Sequence, residues 1–402
     1  MKKSPLLPIF LIVFIDLLGF GLILPLLPFY AESLGASGLV VGLLIASYSF
    51  MQFIGAPILG RLSDKWGRRP VLLVSQFGTF VGFIVLGVAN SLPLLFLGRI
   101  IDGLSGANLS TAQAYISDVT EEKDRAKSFG LIGAAFGLGF IIGPAAGGWL
   151  STFGYQVPAF VAAGLSALTM ILTYIMLPEP ARKGGVANAR RPFSLMALKR
   201  AMTHPAVGSL LAISFTFGVA FTMFQTSFAL FAASRLGFNE QATGFMLAYV
   251  GVLSVIMQVV VVSRMVKKLG ERQSLVLSIA ALALGLGLMA LVQTPLALIA
   301  VMPILSFGGG ATTPVLTSLI TKSVDRTEVG GMLGISTSID SAGRVIAPIV
   351  GNSLLVFNNA LPALAGAALL LIPLFIAFKL RNNDRPVMGK PAYAEAIATI
   401  NE

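Results

Sequence analysis

The sequence contains no cysteine, only one histidine and few charged side chains. The absence of cysteine excludes disulfides, thiol chemistry and cysteine-ligated metals. The single histidine, His204, precedes Pro205 in a polar stretch, where we expect a capping or solvated residue and not a ligand or a catalytic base. Charged residues make up 11% of the chain, against about a quarter of an average soluble domain. A water-soluble fold is therefore disfavoured.

Two further absences restrict the class of function. The sequence has no GxxxxGK[ST] phosphate-binding loop and we expect no appended soluble domain, which argues against ATP as the energy source. The apolar segments contain no cluster of histidine, carboxylate or cysteine side chains, which argues against an integral-membrane enzyme. We expect neither a cofactor nor a metal.

Long apolar runs are the main feature that the sequence does have. Apolar residues make up 56% of the chain, and runs of about 20 residues, each long enough to cross a bilayer as a helix, recur along it. The first run is too long for a cleaved signal and has no small-residue cleavage site before Glu32, so we expect a retained helix. The twelve predicted spans are about 7–30, 39–60, 70–90, 92–116, 126–150, 156–177, 206–231, 241–263, 273–292, 295–321, 330–354 and 358–379.

The net charge of +11 is distributed unevenly between the predicted loops. If the N-terminus is cytoplasmic, the cytoplasmic segments contain 25 of the 28 lysines and arginines. Of the other three, Arg99 and Arg344 lie inside spans, and Arg235 lies outside the cell. This distribution follows the positive-inside rule, so the charge sets topology and does not indicate nucleic-acid binding. We expect both termini in the cytoplasm and a plasma (inner) membrane location.

The chain divides into two similar halves. The longest internal connection is basic and begins with proline and glycine, as expected of a linker. Residues 60–69 recur as 263–272, residues 139–147 as 343–351, and Asp124-Arg125 as Asp325-Arg326, at offsets of 203, 204 and 201. Duplicated six-helix units are typical of transporters that bind substrate near the bilayer midplane. The predicted organisation is a bundle at 1–177, a linker at 178–205, a bundle at 206–380 and a cytoplasmic tail at 381–402.

Four motifs give the chain a more specific resemblance. The loop between spans 2 and 3 resembles the corresponding motif of the major facilitator superfamily, and span 5 resembles the motif of its antiporters. Span 4 resembles the family's arginine-centred motif, and span 1 is similar to that of twelve-helix drug:proton antiporters, tetracycline exporters above all. These motifs are Gly60-x-Leu62-x-Asp64-x-x-Gly67-Arg68-Arg69, Gly139-x-x-x-Gly143-Pro144-x-x-Gly147-Gly148, Leu95-x-x-x-Arg99-x-x-Asp102-Gly103-x-x-Gly106-Ala107 and Asp16-Leu-Leu-Gly19-Phe-Gly21-Leu-Ile-Leu-Pro25-Leu-Leu-Pro28.

Three positions depart from the family pattern. In the second-half loop, Lys267 and Glu271 replace the residues that correspond to Asp64 and Arg68, so this copy has lost its acidic position. In span 4, Asp102 stands where the family more often has glutamine, which adds a titratable group.

Five ionisable residues lie near the middle of predicted spans: Asp16, Arg99, Asp102, Asp340 and Arg344. A charge at that depth costs about 3 kcal/mol on insertion scales, so such residues usually face a cavity or a partner. Arg99 with Asp102 and Asp340 with Arg344 have the spacing to meet on one helical face. Both pairs could be structural and silent. The alternative is proton coupling, with Asp16 as the first candidate for proton carrier or for anchor of a cationic substrate, Asp102 as the second and Asp340 as the third.

A second set of residues is predicted to control conformation from the cytoplasmic end. Asp64 could attract the positive N-terminus of a nearby helix, which the resemblance identifies as span 11, and Asp118 and Arg125 could join Arg68 in a charge cluster. Contacts that form in one state and break in another would set the balance of states. The full set is Gly60, Asp64, Gly67, Arg68, Arg69, Asp118 and Arg125.

Small residues form a stripe in span 5, where Gly139, Gly143 and Gly147 recur every four residues beside Pro144 and Gly148. Such stripes let membrane helices approach closely. General helix packing could explain the stripe, but its recurrence as Gly343, Ala347 and Gly351 favours an interface between the halves.

Polar and aromatic residues inside the spans are candidates to line a substrate path. An apolar, aromatic pocket with few polar groups suits amphiphilic, drug-like molecules. The candidates are Tyr48, Gln52, Asn108, Gln113, Phe136, Gln225 and Tyr249, together with Tyr115, Phe140, Phe221, Phe224 and Gln258.

The sequence therefore predicts an all-α membrane protein of the major facilitator fold, with twelve transmembrane helices in two pseudo-symmetric six-helix bundles. The expected function is that of a monomeric, proton-coupled antiporter that exports amphiphilic small molecules by alternating access. Open alternatives are a proton-coupled symporter that imports an organic solute, and a lipid flippase or non-transporting receptor on the same scaffold.

Overall fold

The computed structural model describes residues 6–106, 108–120, 125–180, 205–324 and 329–380. Most of the predicted linker, including His204, and the predicted tail lie outside these residues. The regular structure of the described residues is entirely helical. The α-helices are α1 (Leu6–Ile23), α2 (Leu27–Ser33), α3 (Gly38–Trp66), α4 (Arg68–Gly87), α5 (Leu92–Ser105), α6 (Asn108–Val119), α7 (Arg125–Leu150), α8 (Gln156–Met176), α9 (Pro205–Leu236), α10 (Glu240–Ile256), α11 (Ser263–Met289), α12 (Pro295–Lys322), α13 (Val329–Leu355) and α14 (Leu361–Lys379).

Within these residues, nine helical segments are long and apolar enough to cross a membrane. One of them, Glu240–Met289, has 50 residues and would extend over about 75 Å, more than twice the hydrocarbon thickness. Its helix is broken at Gly270, where φ is 80°, so it contains two spans. With α5–α6 and α13 added, the total agrees with the twelve predicted spans.

Three predicted spans are less regular than the sequence suggested. The first is interrupted between α1 and α2 around Pro25, which has no N–H to donate. The fourth is interrupted at Gly106, whose ψ of 31° ends α5. The eighth continues from α10 through a π-helical segment, Met257–Val262, into α11. Such discontinuities are tolerated in membranes where neighbouring helices satisfy the freed backbone groups.

The described residues group into two compact units. The first comprises those of 1–187, 226–252 and 348–359, and the second those of 188–225, 253–347 and 360–402. In the first unit, α1 packs against α6, α7 and α8, and α4 packs against α5 and α8. In the second, Ser263–Met289 packs against Pro295–Lys322 and Leu361–Lys379. The predicted division of the chain into two six-helix bundles joined by a linker at 178–205 stays a prediction.

Candidate functional site

The carboxyl of Asp16 lies halfway along α1 and has a neutral partner on another helix. The side-chain amide of Asn108, the first residue of α6, donates a hydrogen bond to Asp16 Oδ1 over 3.0 Å. A cavity of about 10 Å³ lies beside the two side chains and has room for about one water molecule. The other side chains that line it are apolar: Ile12, Val13, Leu17, Leu72 and Ala112.

Asp102 and Arg99 form a second, more deeply buried site in the same unit. Each residue is 3% exposed, and Arg99 Nη1 lies 3.1 Å from Asp102 Oδ2, as the i,i+3 spacing predicted. Thr79 of α4 also hydrogen-bonds Asp102. The guanidinium stacks on the ring of Tyr48, 4.2 Å from its centroid, which is a favourable cation–π distance. The negative charge of Asp102 is also close enough to act on Asp16.

The interruption of the fourth span lies between these two carboxyl sites. Because the helix ends at Ser105, the carbonyl of Gly106 is available to a partner outside the helix. Gln52 of α3 supplies it: Nε2 donates to the Gly106 carbonyl over 2.9 Å and also lies 3.2 Å from the hydroxyl of Tyr48. Gln52 therefore connects α3 to the break in the fourth span. Helix α6 begins just after this break, with Asn108 as its first residue.

Asp340 lies in the second unit and has a hydroxyl partner. Ser214 of α9 donates to Asp340 Oδ1 over 2.9 Å, and the hydroxyl of Ser336 lies 3.5 Å from that of Ser214. Asp340 is half-buried and Arg344 is exposed. Among the described side chains, the direct partner of Asp340 is Ser214, and the predicted ion pair with Arg344 is not formed. The i,i+4 spacing permits the pair, but Ser214 is the closer partner.

At the end predicted to be cytoplasmic, Arg68 is the centre of a charged cluster. It contacts Asp64 at 2.6 Å and Asp118, at the end of α6, at 2.8 Å. Its Nη1 also donates to Ser63, whose hydroxyl donates to the carbonyl of Gly60. The structure thus brings Asp64, Arg68 and Asp118 together. The side chain of Arg125 and the segment just before α13 lie outside the described residues, so the predicted contact of Asp64 with span 11 stays a prediction.

Glu179 also belongs to this cluster, and the sequence analysis missed it. Its two carboxylate oxygens accept hydrogen bonds from the backbone N–H groups of Arg68 and Arg69, over 2.7 and 2.9 Å, and so cap the N-terminus of α4. Gly67, with φ of 111°, gives Glu179 room to approach. The available signal was an acidic residue between Pro178 and Pro180, directly after a span.

Two faces of α7 contact two different helices, and the face with the small-residue stripe does not form the predicted interface between the halves. Gly139, Gly143 and Gly147 lie against Leu17, Gly21 and Leu22 of α1, within the same half of the chain. Residues i and i+4 share one helical face, so the stripe faces one neighbour, whereas Pro144 and Gly148 face another. These two contact Gly244 of α10, and this contact belongs to the first compact unit.

Further contacts in the first unit lie at the end predicted to face outward. Gly38 and Gly42 of α3 lie against backbone atoms of Asn352 and Pro348 in α13. The hydroxyl of Tyr155 donates to Glu240. Burial, followed by the neighbouring Glu240 carboxyl, raises the pKa of Tyr155, so the phenol remains a donor at neutral pH. Short approaches of backbone to backbone therefore join α3 to α13 at this end.

The predicted substrate candidates fall into two groups. Tyr48, Gln52, Asn108 and Tyr115 have protein partners, the last through a hydrogen bond to the Pro178 carbonyl. The others have side chains that are at least partly exposed, apart from Phe224, which is buried. They are Gln113, Gln225 and Gln258, which are exposed, and Phe136, Phe140, Phe221 and Tyr249, which are half-buried. In the part of the chain that the structure describes, no three histidine or acidic side chains could share a metal ion.

Comparison with known proteins places the chain among membrane proteins. It matches the family model of the Major Facilitator Superfamily over residues 9–302 and 232–400. It is 31% identical over 397 residues to the tetracycline resistance protein, class C, of Escherichia coli, with 96% of this chain and 97% of that protein covered. Multidrug resistance protein 2 of Bacillus subtilis (strain 168) is 26% identical over 384 residues, which cover 94% of this chain and 96% of that protein.

A solved structure supports the fold independently. A bacterial homolog of the human lysosomal transporter Spinster superposes with a TM-score of 0.78, covering 94% of this chain and 97% of its own. The two sequences are 14% identical, so this likeness concerns the fold alone.

Proposed function

Because the chain belongs to the major facilitator superfamily, we propose that it is a proton-coupled antiporter that exports amphiphilic, drug-like small molecules by alternating access. Its similarity to proteins named for tetracycline and multidrug resistance supports this class of substrate. We propose that it is a monomer in a plasma (inner) membrane. The distribution of lysine and arginine supports a cytoplasmic location of both termini.

The observation that carries the proposal is the contact between Asp16 and Asn108. A carboxyl at mid-depth is costly to charge, and here its direct partner is a neutral amide and not a cation. The charge of Asp16 is therefore not fixed by an ion pair, and uptake or release of a proton can change it. Asp102 has Arg99 as a permanent counter-charge, which makes it the second candidate, and Asp340 with Arg344 is the third.

The cluster around Arg68 and the face of α7 formed by Pro144 and Gly148 act as conformational elements. Arg68, Asp64 and Asp118 form one set of contacts, and Pro144 and Gly148 with Gly244 form the other. Contacts that are present in just one of the two states shift the equilibrium between the states, although they do not touch the substrate. Their variants should change the population of conformers more than the affinity for drugs.

Reconstitution in liposomes that enclose a pH-sensitive dye tests the proposal. Tetracyclines, quinolones and organic cations are added in turn, and the direction of proton flux is measured. Antiport predicts proton movement opposite to that of the drug. Symport would reverse this direction, and lipid flipping would redistribute a labelled lipid without drug-dependent proton flux.

The variant Asp16→Asn tests the carrier. We expect it to abolish drug-dependent proton exchange while leaving expression intact, because an amide cannot exchange a proton at this site. The matched control is Glu32→Gln, which removes an exposed acid near the end of the same spanning segment. Normal coupled efflux by Asp16→Asn would remove Asp16 from the mechanism.

A further inference from the structure

Asn108 was a candidate for substrate contact, but its geometry indicates another role. The residue is 8% exposed, and its amide is directed at a carboxyl of the neighbouring helix. We propose that Asn108 is a positioning residue for Asp16: it orients the carboxyl and stabilises its charged form, and Gln52 in turn holds Asn108 in place. This inference rests on the proposed function, since it assigns a role in proton coupling.

The direct effect of Asn108 follows from the chemistry of the two groups. An amide N–H donates, and an ionised carboxylate is an acceptor at both oxygens, so the hydrogen bond favours the charged form of Asp16. The amide has no charge of its own and cannot lock the carboxyl as an ion pair would. The result is a carboxyl that remains able to bind a proton but releases it more readily than one without a donor.

The position of Asn108 depends on the break in the fourth span. Asn108 begins α6 two residues after Gly106, so the orientation of its side chain depends on the backbone at the break. Gln52 fixes that backbone by its 2.9 Å hydrogen bond to the Gly106 carbonyl. Ser75 of α4 donates to the carbonyl of Ser105, the last residue of α5, from another side. These two contacts hold the carbonyls of Ser105 and Gly106, which lie just before the start of α6.

The charged groups around Asp16 do not supply an alternative partner. Asp102 on α5 repels it, with Arg99 as the counter-charge of Asp102. Helix α8 contains no charged residue. The charged residues of the other neighbouring helices lie toward their cytoplasmic ends: Arg68 and Arg69 on α4, Asp118 on α6, and Arg125 and Lys127 on α7.

The test compares Asn108→Leu with Asn90→Leu, which makes the same substitution at an exposed residue after the end of α4. The measurement is the pH profile of drug-driven proton exchange in liposomes. Loss of the donor destabilises the charged carboxyl, which then keeps its proton to higher pH. We expect the midpoint of the profile to rise by about one pH unit in Asn108→Leu, with KM within about twofold of the parent value. Asn90→Leu should not move the midpoint, and Gln52→Leu should move it in the same direction but less.

The smaller variant Asn108→Ala serves if leucine prevents folding, and it should give the same upward shift. An unchanged midpoint in folded Asn108 variants would overturn the inference, as would a rise in KM of tenfold or more without a shift, which would indicate a substrate contact. These results differ from failure of the proposed function, in which the unmodified protein exchanges no protons for any drug.

Discussion

The loop at residues 60–69 and its copy at 263–272 make corresponding contacts with opposite charges. In the first loop, Arg68 pairs with Asp118 at the end of α6, over 2.8 Å. In the second, Glu271 pairs with Lys322 at the end of α12, over 2.7 Å. The residues in each role are 203 and 204 positions apart, so both members of the pair have exchanged sign. The loss of the acidic position that the sequence suggested is therefore accompanied by a reversed ion pair.

Other features of the two loops are the same. Gly67 and Gly270 both have positive φ, 111° and 80°. Arg69 donates to the carbonyl of Tyr174 at the end of α8, and Arg272 donates to that of Phe378 at the end of α14. The comparison indicates that the turn and the pairing of helix ends are required, whereas the sign of the pair is not.

The first loop nevertheless has contacts that its copy lacks among the described residues. Arg68 has a second acidic partner, Asp64, where the copy has Lys267, and Glu179 caps the following helix. We infer that the first loop is the more sensitive of the two to substitution. The predictions below test this difference.

The largest effect is expected from reversal of charge at the centre of each loop. Arg68→Glu places a third acid beside Asp64 and Asp118, so we expect drug efflux to fall at least about tenfold. Glu271→Arg disturbs one ion pair with the exposed Lys322 and should lower efflux by only about twofold. Efflux from cells or liposomes, normalised to protein in the membrane, provides the measurement.

The double variant R68E/D118K sharpens this result. It gives the ion pair of the first loop the same arrangement of charges as the Glu271–Lys322 pair of the second loop. It should recover efflux to within about threefold of the parent protein. If R68E/D118K is no better than Arg68→Glu alone, the sign of the pair matters and the equivalence of the two loops is wrong.

An intermediate effect is expected from alanine at the two turn glycines. Both residues combine a positive φ with an extended ψ, a conformation essentially restricted to glycine, where a Cβ costs about 1–3 kcal/mol. A Cβ at Gly67 would also lie 2.6 Å from Glu179 Oε1, whereas that at Gly270 would meet open space. We therefore expect Gly67→Ala to lower the melting temperature in detergent about twice as much as Gly270→Ala. Equal shifts would show that Glu179 adds nothing to the first loop.

The smallest effect is expected when lysine replaces the arginine that contacts a helix end in each of the two loops. Arg69→Lys and Arg272→Lys keep the positive charge near the helix C-terminus but lose the planar donor group. Each should cost below about 1 kcal/mol, measured as a shift in melting temperature. Arg69 also stacks on Tyr174, 5.1 Å from the ring centroid. Arg69→Lys should therefore lower the melting temperature slightly more than Arg272→Lys does. A larger fall in melting temperature for Arg272→Lys would contradict the inference that the first loop is the more sensitive of the two.

The features that could be predicted from sequence were those encoded by local pattern. Apolar length gave the spans, and the i,i+3 spacing gave the contact of Arg99 with Asp102. Periodicity could also place Gly139, Gly143 and Gly147 on one face, but it does not tell which helix faces them. The stripe was therefore assigned to an interface between halves, although it packs on α1.

The partners of single polar residues were not predictable for the same reason. Glu179 and Arg68 are 111 residues apart, and Asn108 and Asp16 are 92 apart, so no local pattern connects them. A polar residue in a span indicates a cavity or a partner, and sequence alone does not choose between them. Tyr48, Gln52 and Asn108 were assigned to the substrate path on that signal, whereas the structure gives each a protein partner.

The backbone contacts of Gly42 with Pro348 and of Gly148 with Gly244 have a consequence for how this end of the protein can open. Helices that touch through the main chain can separate without any side chain changing rotamer, and water can solvate the surfaces that they expose. A single methyl group at these glycines would act as a spacer and hold the helices apart. Natural variation at these positions is thus expected to alter how long the protein rests in each orientation, and so its speed, while the range of compounds that it recognises stays the same.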